Sequence, residues 1–421
     1  FRPGVSRRPA VVAPTTIGVS VEERSSIPVQ VTVIGGCGHV GLPLALALAQ
    51  SGLSVQAYDI SSDAVESVNA GRMPFWESGA DEVLAQVLSS GLFSATTDPA
   101  SVTTADIVIV VIGTPVDEHL NPDPNAIRYA IEECIEHFVD GQLVILRSTV
   151  YPGVTEMVAD LFAARGLSID VSFCPERIAE GHAMTELYSL PQIVSGTTES
   201  AVRRAADLFS RLSPEIVEMS PEEAEIAKLF TNAWRYVKFA TANQFYMMAN
   251  ERGLDFERIR TGLAHNYPRA QDLPRAGFAA GPCLFKDTMQ LAAFTDNSFG
   301  LGHAAMLVNE GLPLYVISRV SEQYDLSTMT VGILGMAFKA ESDDTRSSLS
   351  YKLRRLLKFR SKGVLCSDPY VTTDPELVSL QEVLDQADIL IIGAPHSAYA
   401  DFDTNLPIID IWNVRSQGVR I

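Results

Sequence analysis

Apolar and polar positions divide this chain into two kinds of segment. Unbroken apolar runs rich in Val and Ile, each ending in glycine or a polar turn, occur at VQVTVIGG (Val29–Gly36), ADIVIVVIGTPVD (Ala105–Asp117), LVILRSTVYPG (Leu143–Gly153), TVGILGMAFK (Thr330–Lys339) and ADILIIGAPHS (Ala387–Ser397). Such runs, lacking the alternation of a half-exposed strand, predict strands buried on both faces. From Val29 to Ile60 the pattern passes through a strand, a glycine turn, an Ala/Leu helix, Gly52 as a helix stop and a second strand ending at Asp59. This is a βαβ unit.

The second kind of segment is SPEEAEIAKLFTNAWRYVKFATANQFYMMANERG, Ser220 to Gly253. Ser220 can cap a helix, Pro221 suits its first position, Glu223 completes a capping box and Gly253 stops it. A helix of this length is about 45 to 50 Å long, enough to connect two domains. Its apolar residues (Ile226, Leu229, Phe230, Trp234, Val237, Phe239, Phe245 and Met247) lie on nearly all sides, so the expectation is burial, completed by a second subunit. Lys228 and Asn232 interrupt it. They stand four apart, on one face, and a lysine that merely snorkels to water is the plain alternative.

The last hundred residues repeat the first in reduced form. TVGILGMAFK echoes the first strand and its glycine, GVLCSDP (Gly363–Pro369) echoes the strand ending in Asp, and ADILIIGAPHS matches ADIVIVVIGTP. The expected fold is therefore α/β, with two Rossmann-like domains joined by a long central helix and a helical middle. We divide the chain into a loosely ordered leader (1–28), a first Rossmann-like domain (29–217), a central helical and dimerisation domain (218–325) and a second Rossmann-like domain (326–421).

Composition narrows the partners. A formal net charge of −19 repels polyanions, so nucleic acid and anionic membrane surfaces are poor partners, and an anionic substrate needs a local basic pocket. No run of about 18 apolar residues suggests a membrane span. The five cysteines are far apart and form no CxxC pair, which favours free thiols in a reducing cytoplasm over disulfides or a metal site.

Within the first unit Gly36, Gly38 and Gly41 form G-x-G-x-x-G, and Asp59 follows at the distance of a ribose-binding acid. Amides around His39 and Val40 at the helix N-terminus would hold a pyrophosphate, and Asp59 would repel a 2′-phosphate, selecting NAD over NADP. Thr114, Pro115, Ser148 and Thr149 stand at the carboxyl ends of later strands, the edge where open α/β sheets bind ligands. In the C-terminal copy Gly335, Lys339 and Arg346 replace the fingerprint; fixed charges there would hold a second phosphorylated ligand. Cys283, in GFAAGPCLFKD, is either a buried small hydrophobe or a nucleophile.

Taken together, GGCGHVGLP, YDI, IGTP, STVYPG, PERIAEG, EIAKLFTN, GPCLFKD and FK followed by DDTR resemble the UDP-glucose/GDP-mannose dehydrogenase family, the NAD-dependent nucleotide-sugar 6-dehydrogenases. The resemblance runs from Val31 to about Gly393. It implies a four-electron oxidation of a sugar C6 alcohol to a carboxylate through a thiohemiacetal and a thioester on Cys283, with two NADH released. By the same resemblance Lys228 and Asn232 stabilise the oxyanion, while Glu176, Glu180, Thr149 and Asp287 move protons and orient the hydrolytic water. Lys286 and Glu180 face the nicotinamide half. Gly277, Phe278, Phe338 and Lys339 form the sugar-nucleotide pocket, with Arg269 entering from a second subunit, and Arg346 reaches the NAD pyrophosphate.

Some members that oxidise N-acetylhexosamines end the cysteine loop in Val-Asp, whereas this chain has Lys286-Asp287, so UDP- or TDP-glucose is the expected substrate and uronic acid formation the outcome. UDP-N-acetylhexosamine and GDP-mannose are the alternatives. The chain departs from the family in an additional residue in IGGCG, in GFAAGPC where many members have GFGGSC, and in Cys174 where many have asparagine. A two-electron hydroxy-acid dehydrogenase shares the first unit and the lysine-bearing helix but lacks the cysteine and the second half. A non-enzymatic NAD-sensing scaffold would leave Cys283, Lys228, Asn232 and Asp287 unexplained.

Overall fold

The computed structural model describes residues 30–114, 123, 125–279, 281, 283–419 and 421. The leader and Pro115 lie outside them. Six parallel strands, β1 (Val31–Ile34), β2 (Val55–Tyr58), β3 (Phe93–Thr96), β4 (Ile107–Val110), β5 (Leu143–Leu146) and β6 (Asp170–Phe173), form one sheet in the order β3-β2-β1-β4-β5-β6. This is the doubly wound dinucleotide-binding order. Helix Gly41–Gln50 packs its leucines on one face, and Val108, Val110, Val144 and Leu146 face a second cluster on the other. The unbroken apolar strands of the sequence are thus covered from both sides. A short parallel pair, β7 (Gln192–Val194) and β8 (Ile216–Glu218), leads into the central helix.

That helix runs from Pro221 to Asn250, with Ser220 and Glu223 forming the reciprocal capping box read from the sequence. It packs against the cysteine helix Leu284–Phe294 and the long helix Gly300–Ser321. Its burial is one-sided: Tyr236 is fully buried while Phe230 and Trp234 are 56% and 58% exposed. Helix periodicity places Phe230 and Trp234 one turn apart, on a face that none of the described residues covers, the side for which a second subunit is expected.

The C-terminal sheet, β9 (Thr330–Leu334), β10 (Gly363–Ser367), β11 (Ile389–Ile392) and β12 (Ile408–Ile409), is parallel in the order β10-β9-β11-β12. It reproduces the centre of the first sheet, but it closes the position where the first half would meet a ribose. Asp368, which follows β10 as Asp59 follows β2, is fully buried. Its oxygens accept from the Met336, Ala337, Tyr370 and Val371 N–H groups and from His396 Nε2 at 3.0 Å, while His396 Nδ1 accepts from Glu341 N. The second half fills this crevice with its own side chains, so a ligand there must use the rim instead.

Candidate active site

The glycine turn fits a dinucleotide. A Cβ on Gly36 would lie 2.6 Å from Val33 O and one on Gly41 2.2 Å from Gly35 O, whereas one on Gly38 would meet only Gly35 O at 3.5 Å. The first two glycines let the turn close on itself; Gly38 leaves its outer side open. No side chain caps the following helix and its first turn carries no acid; Leu42 N already donates to Gly38 O and Pro43 has no N–H, so the amides of His39, Val40 and Gly41 are the ones left for an anion. The additional glycine of IGGCG is absorbed at the strand end, where Gly35 N and Gly36 N both donate to Tyr58 O. Asp59 accepts from Cys37 N at 3.0 Å and Ser61 N at 3.1 Å, so it orders the turn as well as facing the crevice. His39 stacks on Phe75 with ring centroids 4.1 Å apart. Burial, then Arg346, lowers its pKa.

At the strand ends, Thr114 Oγ1 donates to Thr149 O at 2.7 Å and receives Lys286 Nζ at 3.0 Å. Lys286 also donates to Thr114 O, tying the cysteine helix to the end of β4. Ser148, predicted to touch the cofactor, uses its hydroxyl to bond both backbone groups of Ile112 at 2.8 Å. Its visible role is to join adjacent strands.

Cys283 is the exposed one of the five free cysteines and stands at the N-cap of the cysteine helix. Burial pushes Cys37, Cys174 and Cys366 to about 12, which makes them unreactive. Cys283 opens to solvent, yet protein crowds its flanks enough to raise its pKa; Asp287 adds to the rise, and Lys228 and Lys286 oppose it. The Asp287 side chain is fully buried, with Oδ2 accepting from Asn232 Nδ2 at 2.6 Å, while Oδ1 has no hydrogen-bond partner among the described residues and stands 3.4 Å from Lys286 Nζ. Lys228, one turn before Asn232, has its pKa lowered by desolvation, against the fields of Asp287, Cys283 and Glu176. The structure therefore gathers Cys283, Lys228, Asn232 and Asp287 as the sequence predicted.

Glu176 and Glu180 differ in a way the sequence did not show. Glu176 Oε2 accepts from Arg147 Nε and Nη2, the latter at 2.6 Å, and Oε1 accepts from the Arg177 and Ile178 N–H groups. Both oxygens are committed. Arg147 is itself fully buried, bonded to Cys174 O and Gln192 Oε1. It was overlooked in the sequence, although an arginine ending the apolar run LVILR already implies a buried anion. Glu180, by contrast, has a buried Oε2 with no hydrogen-bond partner among the described residues, and burial, followed by Asp344, pushes its pKa up to about 7.

Above Glu180 the second half closes down. Arg346 Nη2 reaches Glu180 Oε1 at 3.1 Å while the same guanidinium grips Asp344, and Lys339 Nζ donates to Glu180 O. Arg346, expected on the cofactor pyrophosphate, spans from Asp344 to Glu180 and so links the two halves. Phe338 rests against Gly281 of the cysteine loop. Phe278, expected in the pocket, lies in the core of the C-terminal half at 2% exposure. Arg269 lies away from this cleft on an exposed segment, bonded to Tyr267 OH.

A glycine loop closed by an acid, joined through one long helix to a second nucleotide-type sheet with a cysteine cleft between them, defines an NAD-dependent nucleotide-sugar dehydrogenase. The chain belongs to the UDP-glucose/GDP-mannose dehydrogenase family: its NAD binding domain matches residues 29–213, its central domain 222–310 and its UDP binding domain 332–417. Among curated relatives, UDP-N-acetyl-D-mannosamine dehydrogenase of Pyrococcus horikoshii is 31% identical, covering 86% of this chain and 89% of its own length. The Yersinia pestis enzyme of the same name is 30% identical over 91% and 97%. The solved structure of the Pyrococcus horikoshii enzyme superposes with a TM-score of 0.85 at 30% identity over 91% of this chain and 96% of that one. A UDP-glucose dehydrogenase from Pyrobaculum islandicum gives 0.84 at 28% identity over 92% and 95%.

Lys286, whose place before Asp287 led to the expectation of glucose, donates to Thr114 on the cofactor-binding half.

Proposed function

We propose that this protein oxidises the C6 hydroxyl of a UDP-N-acetylhexosamine, UDP-N-acetylmannosamine foremost, to the uronic acid with consumption of two NAD+ and one water. The observation that carries the reading is Cys283, exposed at a helix N-terminus beside the buried Asn232–Asp287 pair and the desolvated Lys228. The sugar is supported by the relatives, whose names specify N-acetylated substrates. NAD, when bound along the glycine turn, accepts the hydride from C6 in each oxidation.

In the first oxidation the C6 hydroxyl proton passes to solvent and the hydride leaves from C6 itself, while Lys228 and Asn232 hold the developing alkoxide. An aldehyde has no hydride-bearing alkoxide until a nucleophile adds, so the Cys283 thiolate forms a C–S bond and regenerates one. Loss of the second hydride leaves a thioester. Glu180, with a pKa near neutrality, takes a proton from the attacking water; the C–S bond breaks and the Cys283 thiolate departs from the acid product. Glu180 Oε2, which has no hydrogen-bond partner among the described residues, is an acceptor available to that water. Glu176, locked by Arg147, acts as a fixed charge near Lys228 and not as the base.

The exposed Phe230, Trp234, Phe245 and Met248 of the central helix are the surface on which a second subunit would dock, bringing Arg269 to its neighbour's pocket. The test of the function is a substrate panel with NADH counted per sugar nucleotide. Two NADH and highest kcat/KM with UDP-N-acetylmannosamine are expected. One NADH would overturn the acid product, and a preference for UDP-glucose would overturn the sugar.

A further inference from the structure

The cysteine loop is held from below by a residue that neither the motifs nor the chemistry above call for. Asn243 lies about four turns beyond Lys228 on the central helix and within roughly 60° of it around the axis. It is fully buried. Its Oδ1 accepts from Gly277 N at 2.9 Å, and its Nδ2 donates to Gly277 O at 3.0 Å and to Asn309 Oδ1 at 2.9 Å. Asn309 Nδ2 passes the chain on to Tyr236 O at 3.1 Å. One carboxamide thus satisfies both backbone groups of one residue, as a neighbouring strand would.

Gly277 is gripped from the other side as well. A Cβ there would fall 2.2 Å from the Trp412 ring, whose Nε1 donates to Gly393 O at 3.1 Å in the C-terminal half. Gly277 is therefore pinched between the central helix and the second sheet, and the loop from this point carries Phe278, Gly281 and Cys283. A buried amide is costly unless its bonds are made, and here both donors and the acceptor are used.

We propose that Asn243 is the positioning residue of the cysteine loop, fixing Gly277 so that Cys283 stands opposite Lys228 and Asn232 on the same helix. The inference rests on the reaction assigned above for its consequence in turnover, but the position of the loop can be read without turnover. Asn243→Ala removes the clamp. Asn243→Asp keeps the acceptor for Gly277 N while setting a carboxylate oxygen against Gly277 O and Asn309 Oδ1.

The experiment follows the rate at which iodoacetamide alkylates Cys283 in the ligand-free enzyme, with calorimetric titration of UDP and of NAD as separate probes. In both variants we expect alkylation to quicken on the order of tenfold, as a loosened loop frees the thiol from its crowded flanks. UDP should bind more weakly and NAD within about twofold of wild type, since the glycine turn lies elsewhere. With a turned-over substrate kcat should fall on the order of 100-fold, the scale of a small misplacement of reacting groups. Alkylation and UDP affinity unchanged in Asn243→Ala would overturn the proposal whatever the substrate proves to be. Should that variant fail to fold, Gly277→Ala displaces the same loop from the Trp412 side and must speed alkylation likewise. Unchanged alkylation there would be equally fatal.

Discussion

Asn232 Nδ2 lies 2.6 Å from Asp287 Oδ2, inside a helix pair where neither residue reaches bulk solvent. The bond fixes the amide on one side of the cleft, while Asp287 Oδ1 pairs with Lys286 Nζ at 3.4 Å. Asp287 is the largest influence holding Lys228 protonated against its desolvation. In Asp287→Asn the turnover should drop about 100- to 1000-fold, the usual loss for one oxyanion-stabilising group. The alkaline limb of its pH profile should also move to lower pH. A steady-state profile with the limb unmoved would separate Asp287 from Lys228.

Cys283 should carry the sugar. In Glu180→Gln, incubated with substrate and NAD, peptide mass spectrometry should find the sugar-nucleotide adduct on the peptide holding Cys283. Cys283→Ala should make no acid yet bind NAD as wild type does. An adduct on Cys174 would contradict its burial and the mechanism together.

The pH dependence has a definite sign. Glu180 must be ionised to accept a proton from water, and its pKa stands at about 7, so acid formation should rise through neutrality. The rise should continue above it as the Cys283 thiol, raised above its ordinary value, ionises. Deprotonation of Lys228, whose pKa is lowered by desolvation, should bring the rate down on the alkaline side. Thioester hydrolysis in Glu180→Gln should lose the limb near 7 and retain the alkaline one.

Replacing Asp59 with Asn should relax discrimination against NADP, because a carboxylate facing the ribose repels a 2′-phosphate. The substitution leaves one oxygen to accept from Cys37 N or Ser61 N, so the turn is loosened but not lost. Fluorescence titration with both cofactors should show NADP affinity rising relative to NAD. Equal use of both by wild type would remove Asp59 from this role.

The exposed side of the central helix should be an interface. Trp234→Glu should shift the chain towards a monomer in sedimentation, and mixed subunits of Arg269→Ala and Cys283→Ala should regain partial activity that neither variant has alone. Failure of the mixture to recover, with dimers demonstrably exchanged, would place Arg269 outside the site.

Much of this protein was legible in its sequence because the deciding interactions are local. Glycine spacing, the acid at the end of β2 and the Ser220–Glu223 capping box act within a few residues or one βαβ unit, so they leave a fixed pattern. The pairing of Lys228 with Asn232 follows from helix geometry alone. Tertiary structure decided what depends on distant partners: that Arg147 commits Glu176 while Glu180 keeps a free oxygen, that Arg346 grips Asp344 and spans to Glu180, and that Lys286 turns to Thr114. Phe278 reads as an ordinary loop aromatic until the C-terminal core encloses it, and Asn243 as one polar residue in a long helix until Gly277 meets it. Charge pairing and desolvation depend on distance and burial, and neither is fixed until chain segments far apart in sequence are packed together.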